Sequence, residues 1–238
     1  IPAYALQTEK FYDLMGSVTY LTVMWFSLYY SSNNFSNLNG ANITLVFLIS
    51  LWALRLGSFL FMRVHKDGED KRFRSIKPSA TQFFMTWTLQ GLWVSLCSMC
   101  ALTAISSDTG VSVNILFYIG LGLFIYGFCT EVIADKQKSM FRAIPENRDK
   151  FITTGLWAKS RHPNYFGEIV LWLAVALMSL SSLQGLQYIT LISPIFTYIL
   201  LVHVSGVRML ESRGHKKWGH LDEYKHYQKS TPMLFPKL

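Results

Sequence analysis

The chain has 238 residues, of which 51% are hydrophobic and 15% charged, with a net charge of +8 at pH 7. That charged fraction lies below the roughly 25% usual in soluble domains. An ordinary water-soluble globule is thereby excluded, and a chain that meets hydrocarbon is implied.

Apolar stretches of about 18 to 25 residues, enough to cross about 30 Å of hydrocarbon as helix, recur along the whole chain. In order, they predict spans over Met15 to Tyr30, Ile43 to Met62, Phe83 to Ala104, Val113 to Ala134, Tyr165 to Leu183 and Leu186 to Val207. No region alternates polar and apolar residues as a barrel strand does, so the expected fold class is all-α. It is a polytopic transmembrane helical bundle of about six spans, with surface helices on one face. Because Ile1-Pro2 opens the chain without an initiator Met, a targeting segment or a seventh span ahead of it belongs to the same expectation.

The connections set an orientation, since basic residues collect on the cytoplasmic side of short loops. Ser31 to Ala41, Ile105 to Gly110 and Ser181 to Gly185 hold one charge between them, Asp108. Arg63 to Lys77, Asp135 to His162 and Arg208 to Lys237 are dense in Lys and Arg. Both termini are therefore expected on the cytosol-like side of a multi-pass integral membrane protein, in the endoplasmic reticulum or an organelle inner membrane. The basic face reads either as topology plus attraction to anionic membrane lipids or as a phosphate-binding surface. Asn34-Phe35-Ser36 and Asn42-Ile43-Thr44 are glycosylation sequons on the opposite side. Cys97, Cys100 and Cys129 fall inside predicted helices, where packing explains them better than redox chemistry or zinc, and no metal site is expected.

Polar residues inside the spans carry the functional signal. At 1.5 Å rise per residue, Arg55 lies about 12 Å inside Arg63, and Gln90 about as far inside Gln82. Glu131 lies one turn inside Asp135, while Glu168 and His203 lie roughly 7 Å inside the fifth and sixth spans. A charge at such depth costs at least a few kcal/mol, so it should face the protein interior. One reading gathers all five into a water-accessible pocket open to the basic face. The other pairs Arg55 with Glu131 or Glu168 to lock helices, and leaves His203 as a core histidine.

Outside the pocket, Glu131, Asp135, Lys138 and Arg142 follow helical spacing along one stripe. The tail interleaves Arg213, Lys216, Lys217 and Lys225 with Trp218, Tyr224 and Tyr227. Cations and rings together suit a nucleotide, whereas a tail clamped at a membrane offers little surface to track a nucleic-acid strand. Gly120-Leu121-Gly122 lacks the third glycine and the preceding strand of a soluble dinucleotide site.

The run Gly155-Leu156-Trp157-Ala158-Lys159-Ser160-Arg161-His162-Pro163-Asn164-Tyr165-Phe166-Gly167-Glu168, with Trp172 a turn later, resembles the signature of the steroid 5α-reductase superfamily. The likeness is greatest to the branch of membrane proteins grouped with those reductases. Tyr12-Asp13-Leu14, Trp52 to Leu56, Gly68-Glu69-Asp70 with Arg72, and Glu131 to Gln137 extend it over nearly the whole chain. The resemblance implies one membrane domain over 1–238, with segments 135–162 and 208–238 covering a cofactor. It implies NADPH-dependent reduction of a conjugated carbon–carbon double bond in a steroid, sterol or other lipid. Cofactor-binding positions are then Glu131, Asp135, Arg142, Arg161, His162, Asn164, Arg213 and Tyr224. Glu168 and Tyr165 are the catalytic candidates, as donors to a developing enolate oxygen, and Arg55, Gln90 and His203 line the substrate pocket.

Two departures keep the substrate open. The Gln-Glu pair that grips the ketone in steroid reductases is absent, with Arg55 in the comparable region, and Glu131 stands where those enzymes carry a neutral residue. Isoprenylcysteine carboxyl methyltransferases share an R-H-P-x-Y segment and use S-adenosylmethionine, which gives a second reading. A third is a non-catalytic subunit of a larger membrane assembly.

Overall fold

The computed structural model describes residues 2–237, and these form helices and connecting turns with no strand. The helices are α1 (Pro2–Ala5), α2 (Tyr12–Ser31), α3 (Gly40–Asp67), α4 (Ala80–Ile105), α5 (Ile115–Ala143), α6 (Pro163–Ser179), α7 (Ile192–Ile199), α8 (Val207–Trp218) and α9 (Asp222–Ser230). Five helical segments are long and apolar enough to cross a membrane: Gly40–Asp67, Ala80–Ile105, Ile115–Ala143, Pro163–Ser182 and Gly185–Trp218. The all-helical membrane architecture is thus borne out. The expected first span lies within α2, whose 20 residues have spanning length. Four tyrosines, three serines and two threonines dilute its apolarity, and it falls outside the set of five.

The chain divides into two compact units, Ile1–Asn114 with Ser179–Thr190, and Ile115–Met178 with Leu191–Leu238. In the first unit α2 lies against α3 and α4, burying Met24, Leu28, Leu45, Ile49 and Trp52. At one end Tyr12, Phe73 and Phe83 form a core with Trp87 against it. The Tyr12 hydroxyl donates to the Thr86 carbonyl at 3.1 Å, and Gln90 Nε2 donates to the Tyr12 carbonyl at 2.8 Å. The connection from α3 to α4 is held by charge. Buried Glu9 accepts from the Asp70 N–H at 3.0 Å and pairs with Lys77 at 2.7 Å. Arg72 pairs with Asp70 and reaches Asp13 at 3.9 Å, and Arg74 pairs with Glu69.

At the other end Asn39 caps α3, accepting from the Ala41 and Asn42 N–H groups. Asn42, only 4% exposed, donates to the Ile105 carbonyl at 3.3 Å and accepts from the Val111 N–H at 2.7 Å. The second sequon is therefore a structural asparagine, closed to modification. Asn34 sits in an exposed turn at φ 57°. Cys97 and Cys100 are buried, as packing residues should be.

In the second unit α5 and α6 approach backbone to backbone. A Cβ on Gly127 would fall 2.5 Å from the Gly167 carbonyl oxygen, and one on Gly167 2.5 Å from that of Gly127. Such small-residue crossings let membrane helices approach closely where no hydrophobic driving force separates protein from lipid. After α7 the helix widens into a π turn, Leu200–Val204, and breaks at Ser205-Gly206 before α8. The last residues run back along the segment before α6: Arg161 N–H donates to the Pro232 carbonyl and Lys237 N–H to the Lys159 carbonyl, both at 2.9 Å.

Two substitutions test this packing through thermal unfolding of detergent-solubilised protein. Asn42→Ala leaves the buried Val111 N–H and Ile105 carbonyl without this partner and should cost about 1–3 kcal/mol. Gly127→Ala forces α5 and α6 apart and should cost a similar amount, about 1–3 kcal/mol.

Candidate functional site

The site is assembled at the start of α6, inside the second unit. Gly155 takes φ +63°, and a Cβ there would run into the Gln137 side chain, so the turn requires glycine. Gln137 Oε1 accepts from the Leu156 N–H at 2.9 Å. The turn Gly155–Ala158 lays Trp157 under α5, with Nε1 donating to the Ala134 carbonyl at 3.1 Å and the Lys138 ammonium 4.5 Å from its ring centre. From the tail, the Tyr227 hydroxyl donates to the Trp157 carbonyl at 2.6 Å, and buried Ser160 Oγ donates to the Leu234 carbonyl at 2.7 Å. Pro163 then opens the helix, a position that wastes no N–H. Arg161, His162 and Asn164 are thus fixed from both flanks.

One acid organises them. Glu211 of α8 meets His162 Nε2 at 2.7 Å, Arg161 Nη1 at 3.1 Å and Gln228 Nε2 at 3.4 Å. Because an ionised carboxylate only accepts, the His162 proton lies on Nε2 and Nδ1 is left as an acceptor. His162 is 5% exposed. Burial draws its pKa below the ordinary 6.5, assisted by Lys138 and Arg161 and opposed by Glu211. The ring is therefore neutral at pH 7.

Across the helix crossing, Asn164 Nδ2 donates to Asp135 Oδ1 at 3.3 Å. Asp135 is 5% exposed and Glu131, one turn earlier, 2%. Three buried polar atoms of the motif have no hydrogen-bond partner among the described residues: Arg161 Nε, His162 Nδ1 and Asn164 Oδ1. That set is one donor and two acceptors, all within four residues. Tyr165 and Glu168 follow on α6, half-buried, with the Tyr165 ring 6.0 Å from that of His162 and lying against the Gly206 backbone.

The structure therefore brings Glu131, Asp135, Arg161, His162 and Asn164 together, with Tyr165 and Glu168 on the adjoining turns. Arg142 lies further along α5 and is exposed. Tyr224 is buried in an aromatic cluster, 4.9 Å from Phe151 and 5.8 Å from Trp218. Arg213 and His203 line a groove of about 400 Å³ with Arg208 and Lys216. A second groove, of about 620 Å³, is lined by Phe141, Lys150, Phe151, His226, Tyr227 and Lys237 among others. Arg55 and Gln90 belong to the first unit. There Arg55 lies over the Phe59 ring at 5.2 Å, and the Gln90 amide is engaged by the Tyr12 carbonyl. No group of three or more His, Cys, Asp or Glu suited to a metal occurs among the described residues.

Glu211 escaped the sequence reading, although it is the one acid among residues 208–217. An isolated acid in a basic helix is the signal that pointed to it. Gln137 and Ser160 left no such signal, since their partners are backbone groups.

The model of a family described as protein of unknown function (DUF1295) matches residues 3–231. An uncharacterised protein of Schizosaccharomyces pombe is 26% identical over 223 residues, 82% of this chain and 63% of its own length. A protein of Ustilaginoidea virens named probable O-methyltransferase ustE is 30% identical over 116 residues, 42% of this chain and 41% of its own. The chain thus spans less than two thirds of the length of these relatives. No solved structure matches it significantly.

The neutral, buried His162 has a stability consequence. Its folded-state pKa lies below the unfolded value, so the unfolded chain binds the proton more readily. Stability should be full above pH 6.5 and decline as pH falls below it. In thermal unfolding at several pH values, His162→Gln should lower the midpoint at pH 7 and flatten that decline.

Proposed function

We propose, for a chain that belongs to the DUF1295 family, related to steroid 5α-reductase-like membrane proteins, that it is an NADPH-dependent reductase of a conjugated double bond in a membrane lipid. The observation that carries this reading is the triad of unpartnered buried atoms at Arg161, His162 and Asn164. Buried polar groups are satisfied in nearly all folded proteins, and exceptions call for a ligand or a catalytic role. A bound carboxamide and sugar hydroxyls would supply donors to His162 Nδ1 and Asn164 Oδ1 and an acceptor to Arg161 Nε. Arg142, two turns beyond Asp135 on the α5 stripe, would meet phosphate. The groove of about 620 Å³ is lined by residues of both segments expected to cover the cofactor.

NADPH, when bound, supplies the hydride that adds to the β-carbon of an enone. The protein's part is to hold that geometry and to manage the oxygen charge and the proton. Tyr165 and Glu168 each carry an O–H donor, the acid only while protonated, able to steady the enolate oxygen. That same group, or water replacing it, returns the proton that completes the saturated bond. The five segments long and apolar enough to cross a membrane support a lipid or sterol-like substrate partitioned from the bilayer.

A second reading, S-adenosylmethionine-dependent methyl transfer, is favoured by the name of the Ustilaginoidea virens relative. Buried Glu131 and Asp135 would suit a cationic sulfonium.

Titrating NADPH and S-adenosylmethionine separately into the full chain in mild detergent distinguishes the two. The reductase reading expects NADPH binding, weakened about tenfold or more in Arg142→Ala, a loss of at least about 1.4 kcal/mol. It also expects enone-dependent NADPH oxidation, lost in Glu168→Gln or Tyr165→Phe with binding retained. Preference for S-adenosylmethionine overturns it, and NADPH binding without oxidation across a broad enone panel points to a subunit instead.

A further inference from the structure

The groove of about 400 Å³ lined by His203, Val204, Arg208, Met209, Ser212, Arg213 and Lys216 is not explained by the reading above. Arg208, Ser212 and Lys216 recur every four residues and so share one stripe of α8, with Met209 and Arg213 beside it. The helix's single acid, Glu211, is turned to Arg161 and His162, and its buried residues are Val207 and Gly214. The groove face is therefore cationic, with no carboxylate among its lining residues. Arg208, Arg213 and Lys216 are exposed and enter no ion pair among the described residues.

Its position along the chain is as telling as its charge. The run from Leu186 to Val204 carries no charge other than that of a protonated His203. Its 19 residues would span about 28 Å as helix, close to the hydrocarbon thickness of about 30 Å. Arg208 is the first fixed charge after it. Val204, 60% exposed, and Met209 line the same groove as the cations. The π turn and the break at Ser205-Gly206 separate α8 from α7, and the groove lies at this break, at the end of the apolar run. Cations and apolar side chains sharing one groove at the end of an apolar run suit an amphiphile, not a freely soluble anion.

We propose that this groove binds the phosphate headgroup of an anionic membrane phospholipid, with Arg208, Arg213 and Lys216 holding the headgroup and Val204 and Met209 touching the start of the acyl chains. Arg213 then belongs to a lipid site distinct from the nucleotide site at α6.

Native mass spectrometry of the full chain, purified in mild detergent and titrated with phosphatidylglycerol or phosphatidylcholine, tests this. The expected result is a saturable phosphatidylglycerol adduct that exceeds the phosphatidylcholine adduct. Arg208→Gln, Arg213→Gln and Lys216→Gln combined should weaken it about a hundredfold, at about 1 kcal/mol per cation. The charge-matched control Lys66→Gln, Lys136→Gln and Lys229→Gln should leave it unchanged. Equal loss in both variants, or no loss in the first, overturns the proposal. Inorganic phosphate and NADPH at millimolar concentration should not displace the lipid. Displacement by NADPH, with NADPH binding itself lost in the groove variant, assigns the groove to a soluble nucleotide and overturns the lipid site. Failure of NADPH to bind the unsubstituted protein sinks the reductase reading alone and leaves this one standing.

Discussion

The second unit depends on the contact of Gly127 with Gly167. Two helices normally pass about 8–10 Å apart because side chains fill the space between them. Removing both side chains at one level lets the backbones touch, and the next residues outward are then forced together. One turn along α5 that residue is Glu131, and two turns along it is Asp135, which reaches Asn164 on the first turn of α6. The crossing thus carries two carboxylates to the N-terminal end of a helix, where unsatisfied N–H groups and the helix dipole favour negative charge. No long-range electrostatic device is needed to keep two buried acids within one turn of each other.

The same end of α6 must also hold positive groups, and there the tail takes over. Arg161 and His162 would be costly to bury alone. Glu211 on α8 meets both, and Gln228 on α9 fixes the carboxylate in turn. Backbone bonds from Pro232, Leu234 and Lys237 close over the segment 159–161. Because the partners of Arg161 and His162 lie about fifty residues further on, these two side chains depend on the docked tail for their partners. An aromatic cluster of Phe151, Trp218 and Tyr224 anchors the same tail on the loop after α5. A ligand held at the motif would therefore be coupled to the order of the tail.

Much of this was legible in the sequence because hydrophobicity and spacing are local. Span lengths, the all-helical class and the stripe Glu131, Asp135, Lys138 and Arg142 need only a period and a count. The segment Gly155 to Glu168 was legible as a motif because its glycine, proline and buried rings each meet a fixed backbone demand. What failed to show depends on the partner. Gln90 reads as a polar group inside a span, yet its amide answers a carbonyl on α2, so depth alone overstated its functional meaning. Asn42 reads as a sequon, yet both ends of its amide close the turn before α5. The first span was drawn from its length, whereas its hydroxyls, several bonded back to their own helix, lower its apolarity. Glu211 is the reverse case, a lone acid in a basic helix whose importance rests on a contact 49 positions away.

Charge is the property that separates the two chemistries open to such a site. NADPH brings several negative charges on phosphate and a neutral reactive ring, while S-adenosylmethionine brings a positive sulfonium at the reacting centre. A reductase therefore needs its cations at a distance from the reacting atoms and its acids tied up near them. The second unit has that disposition in part: Asp135 is engaged by Asn164, Glu211 by Arg161 and His162, and the cations Lys138 and Arg142 lie further along α5. A methyltransferase would instead use an acid beside the sulfonium, which makes Glu131 the residue whose surroundings weigh most. Both acids are buried within one turn of each other, so a strongly anionic group could approach only if it stayed on the Arg142 side. Along α5 the polarity of the stripe, acids at the buried end and cations at the exposed end, would under the proposed reading order a nucleotide with its phosphates outward and its reactive end at Asn164 and Tyr165.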